Sequence, residues 1–135
     1  MNKNIIRHRT LKILCDKHDE LVYKSGKYDT TPTPIDATLG DIPVDVFLNV
    51  FKISDKEFRM ANIAVSAAEE IKYRRKIEDP TVEVISLEGK GLVAYADKKY
   101  IKILRDGIID IVTKIILPLT AITISIISLC ISLKK

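Results

Sequence analysis

The feature that most restricts the fold is the run IILPLTAITISIISLCISL at residues 115–133, which contains no charged side chain. A helix of these 19 residues would be about 28 Å long, close to the thickness of the hydrocarbon core of a bilayer. Pro118 falls in the first turn, where a missing backbone N–H does least harm. The run therefore predicts a transmembrane helix that begins at Ile115 and ends at Leu133.

A buried core helix and a β-strand are the alternatives for this run. A core helix that is apolar on every side would have to be wrapped by the preceding residues, and these are not apolar enough. The segment AITISI alternates as a strand does, but the alternation breaks at Ile126–Ile127. A single strand in lipid would also leave its backbone groups unpaired, so the helix is favoured.

Charged residues on the two sides of the run predict its orientation. Most cations precede it and few follow it: Lys98, Lys99, Lys102, Arg105 and Lys114, then Lys134 and Lys135. Because the side richer in Lys and Arg stays in the cytoplasm, the sequence predicts a tail-anchored protein of a bacterial inner (cytoplasmic) membrane, with its N-terminal domain in the cytoplasm. This domain is predicted at residues 1–107, and a juxtamembrane turn with the anchor at residues 108–135.

Polar residues near the run indicate two further contacts. A basic group that could lie on anionic lipid at the membrane surface is formed by Lys98, Lys99, Lys102 and Arg105. Within the run, hydroxyls that could bond to the span of a second copy are those of Thr120, Thr123, Ser128 and Ser132. A homo-oligomer is one expectation; the other is that these hydroxyls bond to their own helix backbone.

The first half of the N-terminal domain contains helical patterns separated by a loop. Residues 4–21 space their apolar side chains as an amphipathic helix does. Residues 24–43 are rich in Pro, Gly, Thr and Asp and predict a loop. VDVFLNVFKIS, residues 44–54, predicts a short helix that closes at Lys52–Ile53.

The second half begins with a capped helix and continues into strands. Ser54 and Glu57 have the spacing of a capping box for a helix that runs to about Glu70. Residues 71–76 and 81–87 predict two strands joined by a turn. Residues 91–108 return to helical spacing and are predicted to run into the tail.

This order of three helices, a hairpin and a further helix resembles the winged helix-turn-helix domains. The stretch VFLNVFKISDKEFRMANIAVSAAEEIKY resembles the helix–turn–helix and following strand of that family. LEGKGLVAY resembles the L-T-x-x-G segment that often follows the second wing strand: Leu87 and Gly91 match, and Glu88 stands where Thr is usual. The resemblance implies an α+β fold, a winged-helix-like domain followed by a single transmembrane helix, and small membrane-anchored winged-helix proteins as the nearest relatives.

The resemblance implies that the third helix would enter a DNA groove if this domain bound DNA. A polar stripe is predicted along that helix, formed by Asp55, Arg59, Asn62, Ser66 and Glu69. Arg and Asn are the residue types that read guanine and adenine. The candidate partner or DNA face therefore consists of Lys56, Arg59, Asn62 and Ser66 on the helix and of Arg74, Arg75 and Lys76 on the wing.

The distribution of charge argues against DNA. Residues 28–70 hold eight acidic and three basic side chains, and the stripe begins and ends with a carboxylate. DNA binding draws much of its affinity from cations that neutralise phosphates. A protein partner is therefore favoured over nucleic acid for this face.

Patterns typical of an enzyme or of a cofactor site are missing from the sequence. Cys15 and His18 form a C-x-x-H pair, but a metal site needs three or four ligands, and His8 is the only other imidazole. The segment GKG, residues 89–91, lacks the frame of a phosphate-binding loop. We expect no catalytic residues, no metal and no cofactor.

Three functions remain at this stage. The favoured one is a non-enzymatic protein that recruits or senses a protein partner at the membrane. The first alternative is a membrane-tethered DNA-binding regulator. The second is a small membrane-active effector whose tails assemble and permeabilise the membrane.

Overall fold

The chain folds as two compact units, Met1–Ile101 and Lys102–Lys135. The structure, a computed structural model, describes residues 1–24 and 40–134. Among these residues the fold is α+β: helices surround a small antiparallel sheet in the first unit, and an apolar helix forms the C-terminal part. Most of the predicted loop at 24–43 lies outside the described residues.

The elements follow one another in an order close to the predicted one. In the first unit they are α1 (Lys3–Lys24), β1 (Ile42–Pro43), α2 (Val44–Phe51), α3 (Asp55–Ala67), β2 (Ile71–Arg75), β3 (Glu83–Leu87) and α4 (Gly89–Ala96). After these come α5 (Lys99–Ile111), a π-helical turn (Val112–Ile116) and α6 (Leu117–Leu133).

The boundaries between α2 and α3 follow from local chemistry. Lys52 closes α2 in the left-handed conformation, with φ of 53°, as predicted for the Lys52–Ile53 turn. Ser54 caps α3, its Oγ accepting a hydrogen bond from the backbone N–H of Glu57 at 3.2 Å, so the predicted N-cap is confirmed. The helix ends at Ala67 and not near Glu70, because Glu69 adopts a left-handed φ of 56°.

The sheet has the strand order β1-β3-β2, and both pairings are antiparallel. The predicted hairpin is confirmed as β2 paired with β3, with Ile71 opposite Leu87 and Tyr73 opposite Ile85. Strand β1 was not predicted, since its two residues fall in the segment assigned to the loop. Pro43 can belong to it because β1 is an edge strand.

The core of the first unit lies where α1, α2 and α3 meet one face of the sheet. Three rings form its centre: Phe47 stacks on Phe58 with centroids 5.5 Å apart, and Phe51 lies 6.0 Å from Phe58. The other members of the core include Ile6, Leu11, Leu14, Ala61, Val65, Ile71, Ile85, Ala94 and Tyr100. The periodic apolar residues of residues 4–21 thus form the buried side of α1, as expected for an amphipathic helix.

The prediction of a single helix at 91–108 is wrong, because two helices, α4 and α5, occupy this segment. Lys98 adopts a left-handed φ of 52° between α4 and α5. The N–H of Asp97 donates to the Val93 carbonyl, and the N–H of Lys98 donates to the Tyr95 carbonyl, both at 2.9 Å. These bonds close α4 before α5 begins.

Candidate partner-binding surface and membrane helix

The side of α3 that points away from the core is mostly apolar. Phe58, Ala61 and Val65 are fully buried on the inner side. Met60 and Ile63 are 51 % and 58 % exposed on the opposite side, because positions three and four apart share a face of a helix. We call this surface the α3 outer face; it comprises Lys56, Met60, Ile63, Ala64 and Ala67, all of them exposed.

A shallow cleft of about 370 Å³ lies beside the α3 outer face, and Arg59, Ile63, Ser66, Ala67 and Tyr73 line it. The Tyr73 hydroxyl is buried and forms no hydrogen bond with any residue that the structure describes. Burial raises the pKa of Tyr73 to about 12, so the hydroxyl stays protonated at neutral pH. The cleft therefore combines apolar walls with one donor that has no acceptor.

Arg59 is held by two carboxylates at the edge of this cleft. Its Nε lies 2.8 Å from the Asp55 carboxylate one turn earlier in α3. Its Nη2 donates to Glu83 on β3, and its guanidinium lies 5.6 Å from the centre of the Tyr73 ring. Hydrogen bonds from Glu83 and then Asp55 raise the pKa of Arg59. The guanidinium fixes α3 to the sheet and has little capacity left for a guanine.

Asn62 is not on the protein surface, and its assignment to the partner or DNA face is wrong. It is fully buried, and its Nδ2 donates to the Phe58 carbonyl at 3.2 Å and lies 3.5 Å from the Thr10 hydroxyl of α1. Within the predicted polar stripe only Asn62 is buried; Arg59 and Ser66 are half-buried, and Asp55 and Glu69 are exposed. Asn62 therefore joins two helices of the core.

The other residues of the predicted partner or DNA face lie at or near the surface, but their surroundings differ. Lys56 is exposed on the α3 outer face, and Ser66 is half-buried in the cleft. In the β2–β3 hairpin, Arg74 pairs with Glu88 at 3.3 Å, Lys76 pairs with Glu78 at 3.2 Å, and Arg75 is exposed. The hairpin thus keeps cations at its surface, two of them beside carboxylates.

Gly91, one of the two residues that carried the resemblance after the wing, has a clear physical role. A Cβ at this position would lie 2.2 Å from the Glu70 carbonyl oxygen and 2.7 Å from a methyl group of Leu87. Only glycine lets α4 approach the chain this closely. The two matching residues, Leu87 and Gly91, therefore lie against each other.

The four members of the predicted membrane-surface basic group differ in their partners. Lys99 pairs with the buried carboxylate of Glu70, and Arg105 pairs with Asp106 at 3.2 Å. Within the described residues, Lys98 and Lys102 form no ion pair. Of the four, these two therefore offer cations without a carboxylate partner to an anionic surface.

The segment Lys99–Leu133 is a helix of 35 residues, long and apolar enough to cross a membrane. Its most apolar 18-residue window has a mean hydropathy of 2.3, and none of that window is buried. A core helix of similar composition would be covered by the rest of its protein, whereas the predicted span from Ile115 to Leu133 is exposed along its whole length. The hydroxyls of Thr120 and Thr123 donate to the carbonyls four residues earlier at 2.7 and 2.8 Å.

Among the residues that the structure describes, no third ligand joins the C-x-x-H pair of α1. Cys15 is 2 % exposed in the core, and its burial raises the pKa of the thiol to about 11. His8 stacks on Tyr95 at 5.3 Å, and its pKa is lowered by burial and by two nearby lysines. Across residues 1–24 and 40–134, no three His, Cys, Asp or Glu side chains come together as a metal site would require.

Comparison with known proteins adds no relative: no protein-family model, no curated protein and no solved structure matches this chain.

The α3 outer face was missed in the sequence although the sequence contains its signal. Lys56, Met60, Ile63 and Ala67 are spaced by four, three and four residues, opposite to the buried Phe58 side. The polar stripe next to them drew attention because Arg and Asn can read bases. A helical wheel centred on the core side would have placed Met60 and Ile63 outermost.

Proposed function

We propose that this chain is a non-enzymatic, membrane-anchored protein whose N-terminal domain binds a protein partner through the α3 outer face. One observation carries the proposal: the outermost positions of α3 are Met60, Ile63 and Ala67, and none of them can hydrogen-bond to the edge of a base. Exposed apolar side chains that are contiguous on a helix are typical of protein interfaces.

The scaffold that presents this face is, in our proposal, winged-helix-like. Helices α2 and α3 with the turn at Lys52–Ser54 support a helix–turn–helix, and the β2–β3 hairpin supports a wing. The close contact between Gly91 and the Glu70 carbonyl fits the segment that follows the wing in that family. A shared scaffold does not fix what is bound, so the surface chemistry of α3 decides between the candidate partners.

The anchor in this proposal is the α6 region, inserted in a bacterial inner membrane with the N-terminal domain in the cytoplasm. The helix Lys99–Leu133 has the length and hydropathy that a span needs. The excess of Lys and Arg before the span supports the cytoplasmic side. The partner would then be bound at the membrane surface.

The chemistry around the α3 outer face indicates the kind of partner. The carboxylates of α3 and of the turn after it are paired: Asp55 with Arg59, Glu57 with the N-terminus, Glu69 with Lys90, and buried Glu70 with Lys99. The apolar centre of the face is therefore its main feature, and it is complementary to the apolar side of an amphipathic helix. We therefore commit to a protein segment of this kind as the occupant.

Site-specific photocrosslinking tests the proposal in cells that express the full chain. Ile63 is replaced by p-benzoylphenylalanine, and Ile77 is replaced in a matched control, because Ile77 is 84 % exposed but lies in the wing turn. We expect a discrete membrane-associated protein adduct from position 63 and none from position 77. Peptide mass spectrometry should locate the crosslink in a segment with the apolar periodicity of an amphipathic helix.

A second substitution tests whether the crosslink depends on the α3 outer face. Met60→Asp on the same face should remove the adduct from position 63, while near-ultraviolet circular dichroism shows that the fold is kept. An adduct that disappears after nuclease treatment would favour the DNA-binding regulator. Equal labelling from positions 63 and 77 would contradict a partner on the α3 outer face.

A further inference from the structure

Helix α5 has two faces of different chemistry along its whole length. Ile101, Leu104, Ile108 and Ile111 share one face, since they are spaced by three, four and three residues. The opposite side carries Lys102, Asp106 and Asp110, with Ile103 and Ile109 beside them, and Arg105 lies at its border. Ile108 and Ile111 are each 54 % exposed. Among the described residues, this helix therefore leaves its apolar face largely uncovered.

The length of the helical segment excludes α5 from the hydrocarbon core. The 35 residues of Lys99–Leu133 correspond to about 52 Å, against about 30 Å of hydrocarbon. Fitting the whole segment would need a tilt of about 55°, beyond the range of about 0–40° for membrane helices. It would also bury the five charged side chains of α5 in lipid. The uncharged residues 115–133 already have the length of the core by themselves.

The junction between α5 and α6 is irregular where a change of direction would be needed. The N–H of Leu117 donates to the carbonyl of Val112, five residues earlier, as in a π-helix. Pro118 follows directly, lacks an N–H, and would conflict with the carbonyl of Lys114 in a regular α-helix. Bends in helices concentrate at π-turns and prolines. The chain can therefore turn here from the membrane surface into the span.

The charged side of α5 also suits the level of the lipid headgroups. Asp110 and Lys114 pair at 2.7 Å, and Arg105 pairs with Asp106. These pairs lower the cost of placing charges near the boundary of the bilayer. In the described residues Lys102 has no carboxylate partner, so it can contact an anionic headgroup.

We propose that α5 is an interfacial helix, with its apolar face inserted at the boundary between headgroups and acyl chains of the membrane that α6 spans. This inference rests on the proposed anchor. We assign lipid, and not a second chain, as the partner of the apolar face of α5. The reason is that α5 continues into α6, an apolar helix that lipid would surround in the proposed anchor.

Fluorescence quenching on the full chain tests this placement. The protein with Cys130→Ser is reconstituted in vesicles of phosphatidylcholine and phosphatidylglycerol; Cys15 is kept, since its buried thiol is protonated at neutral pH. Ile108→Cys places an environment-sensitive probe on the apolar face, and Asp106→Cys places the same probe on the polar side. Iodide in the water should quench the probe at position 108 at least about fivefold less than the probe at position 106. Spin-labelled lipid should quench preferentially at position 108.

The result separates this inference from the anchor itself. If the chain resists a carbonate wash and both positions are quenched equally by iodide, the anchor holds and the interfacial helix is refuted. If protection at position 108 is lost on dilution with lipid, and the unlabelled Ile108→Cys variant forms a disulfide dimer under an added oxidant, a second copy covers the face and the lipid assignment fails. A chain that washes off the vesicles would overturn the proposed anchor together with this inference.

Discussion

The first unit and α6 satisfy their polar side chains in opposite ways. In the first unit, buried Glu70 accepts from the Tyr100 hydroxyl at 2.7 Å, and buried Ser86 donates to Asp41 at 2.6 Å. In α6, Thr120 and Thr123 bond to carbonyls of their own helix. The first unit therefore depends on contacts between elements, whereas α6 needs no partner for its hydrogen bonds. This self-sufficiency suits a medium that supplies none.

A charge introduced in the middle of α6 should have the largest effect on membrane partitioning. It tests most directly whether α6 lies in a medium different from that of the first unit. Ile124→Arg adds an unpaired cation where lipid would surround it, at a cost of about 3 kcal/mol. We expect most of the chain to move from the carbonate-resistant membrane fraction to the soluble or aggregated fraction. Ile124→Leu should stay fully in the membrane, and equal partitioning of the two variants would contradict the anchor.

A single methyl group in the first unit should have the next largest effect. Gly91→Ala places a Cβ against the Glu70 carbonyl oxygen, and we expect a loss of about 2–3 kcal/mol in the free energy of unfolding. Gly89→Ala is the matched control, because no atom lies within 4 Å of its Cβ position. Denaturant titration of the full chain in detergent, followed by circular dichroism, measures both. Similar midpoints for the two variants would argue against the close approach of α4.

Loss of the buried Glu70 carboxylate should lower the free energy of unfolding somewhat less than Gly91→Ala does. Glu70→Ala leaves the Tyr100 hydroxyl without its acceptor and removes the partner of Lys99, which we expect to cost about 2 kcal/mol. Glu69→Ala removes the same charge from the same turn, but Glu69 is exposed and pairs only with Lys90. The same titration should show almost no change of midpoint for Glu69→Ala, because an exposed ion pair contributes little to stability. A larger loss for Glu69 than for Glu70 would reverse the comparison.

The hydroxyls of α6 should give the smallest effect. Thr120→Val with Thr123→Val removes two bonds that the helix makes to itself, and we expect membrane insertion to be unchanged within about 0.5 kcal/mol. The carbonate-resistant fraction and the oligomeric state in detergent measure the outcome. A loss of dimers in this variant would show that the hydroxyls bond to a second copy.

The sequence predicts most helices and strands of the first unit because their signals are local. The Ser54 cap, the left-handed end of α2 at Lys52 and the alternation in the hairpin each depend on a few neighbouring residues. Strand β1 escapes such a prediction because two residues have no period. It forms because Ile42 and Pro43 meet Ile85 and Val84 of a strand far along the chain.

The face predicted on α3 combines residues that the structure places in different surroundings. The helical periodicity of α3 places Arg59 and Asn62 on the same side. It cannot predict how much of that side α1 and the sheet will bury. Thr10 of α1 covers Asn62, and Glu83 of β3 holds Arg59. Met60 and Ile63 are left outermost, although apolar residues are expected inside.

What the sequence alone determined is the apolar helix at residues 115–133, because its 19 uncharged residues make it long and apolar enough to cross a membrane. Tertiary structure alone decided which side of α3 faces outward, where Lys98 divides α4 from α5, and that Glu70 is buried. The physical reason is that hydropathy and period act along one dimension. Burial requires a second surface, and only folding brings that surface into contact.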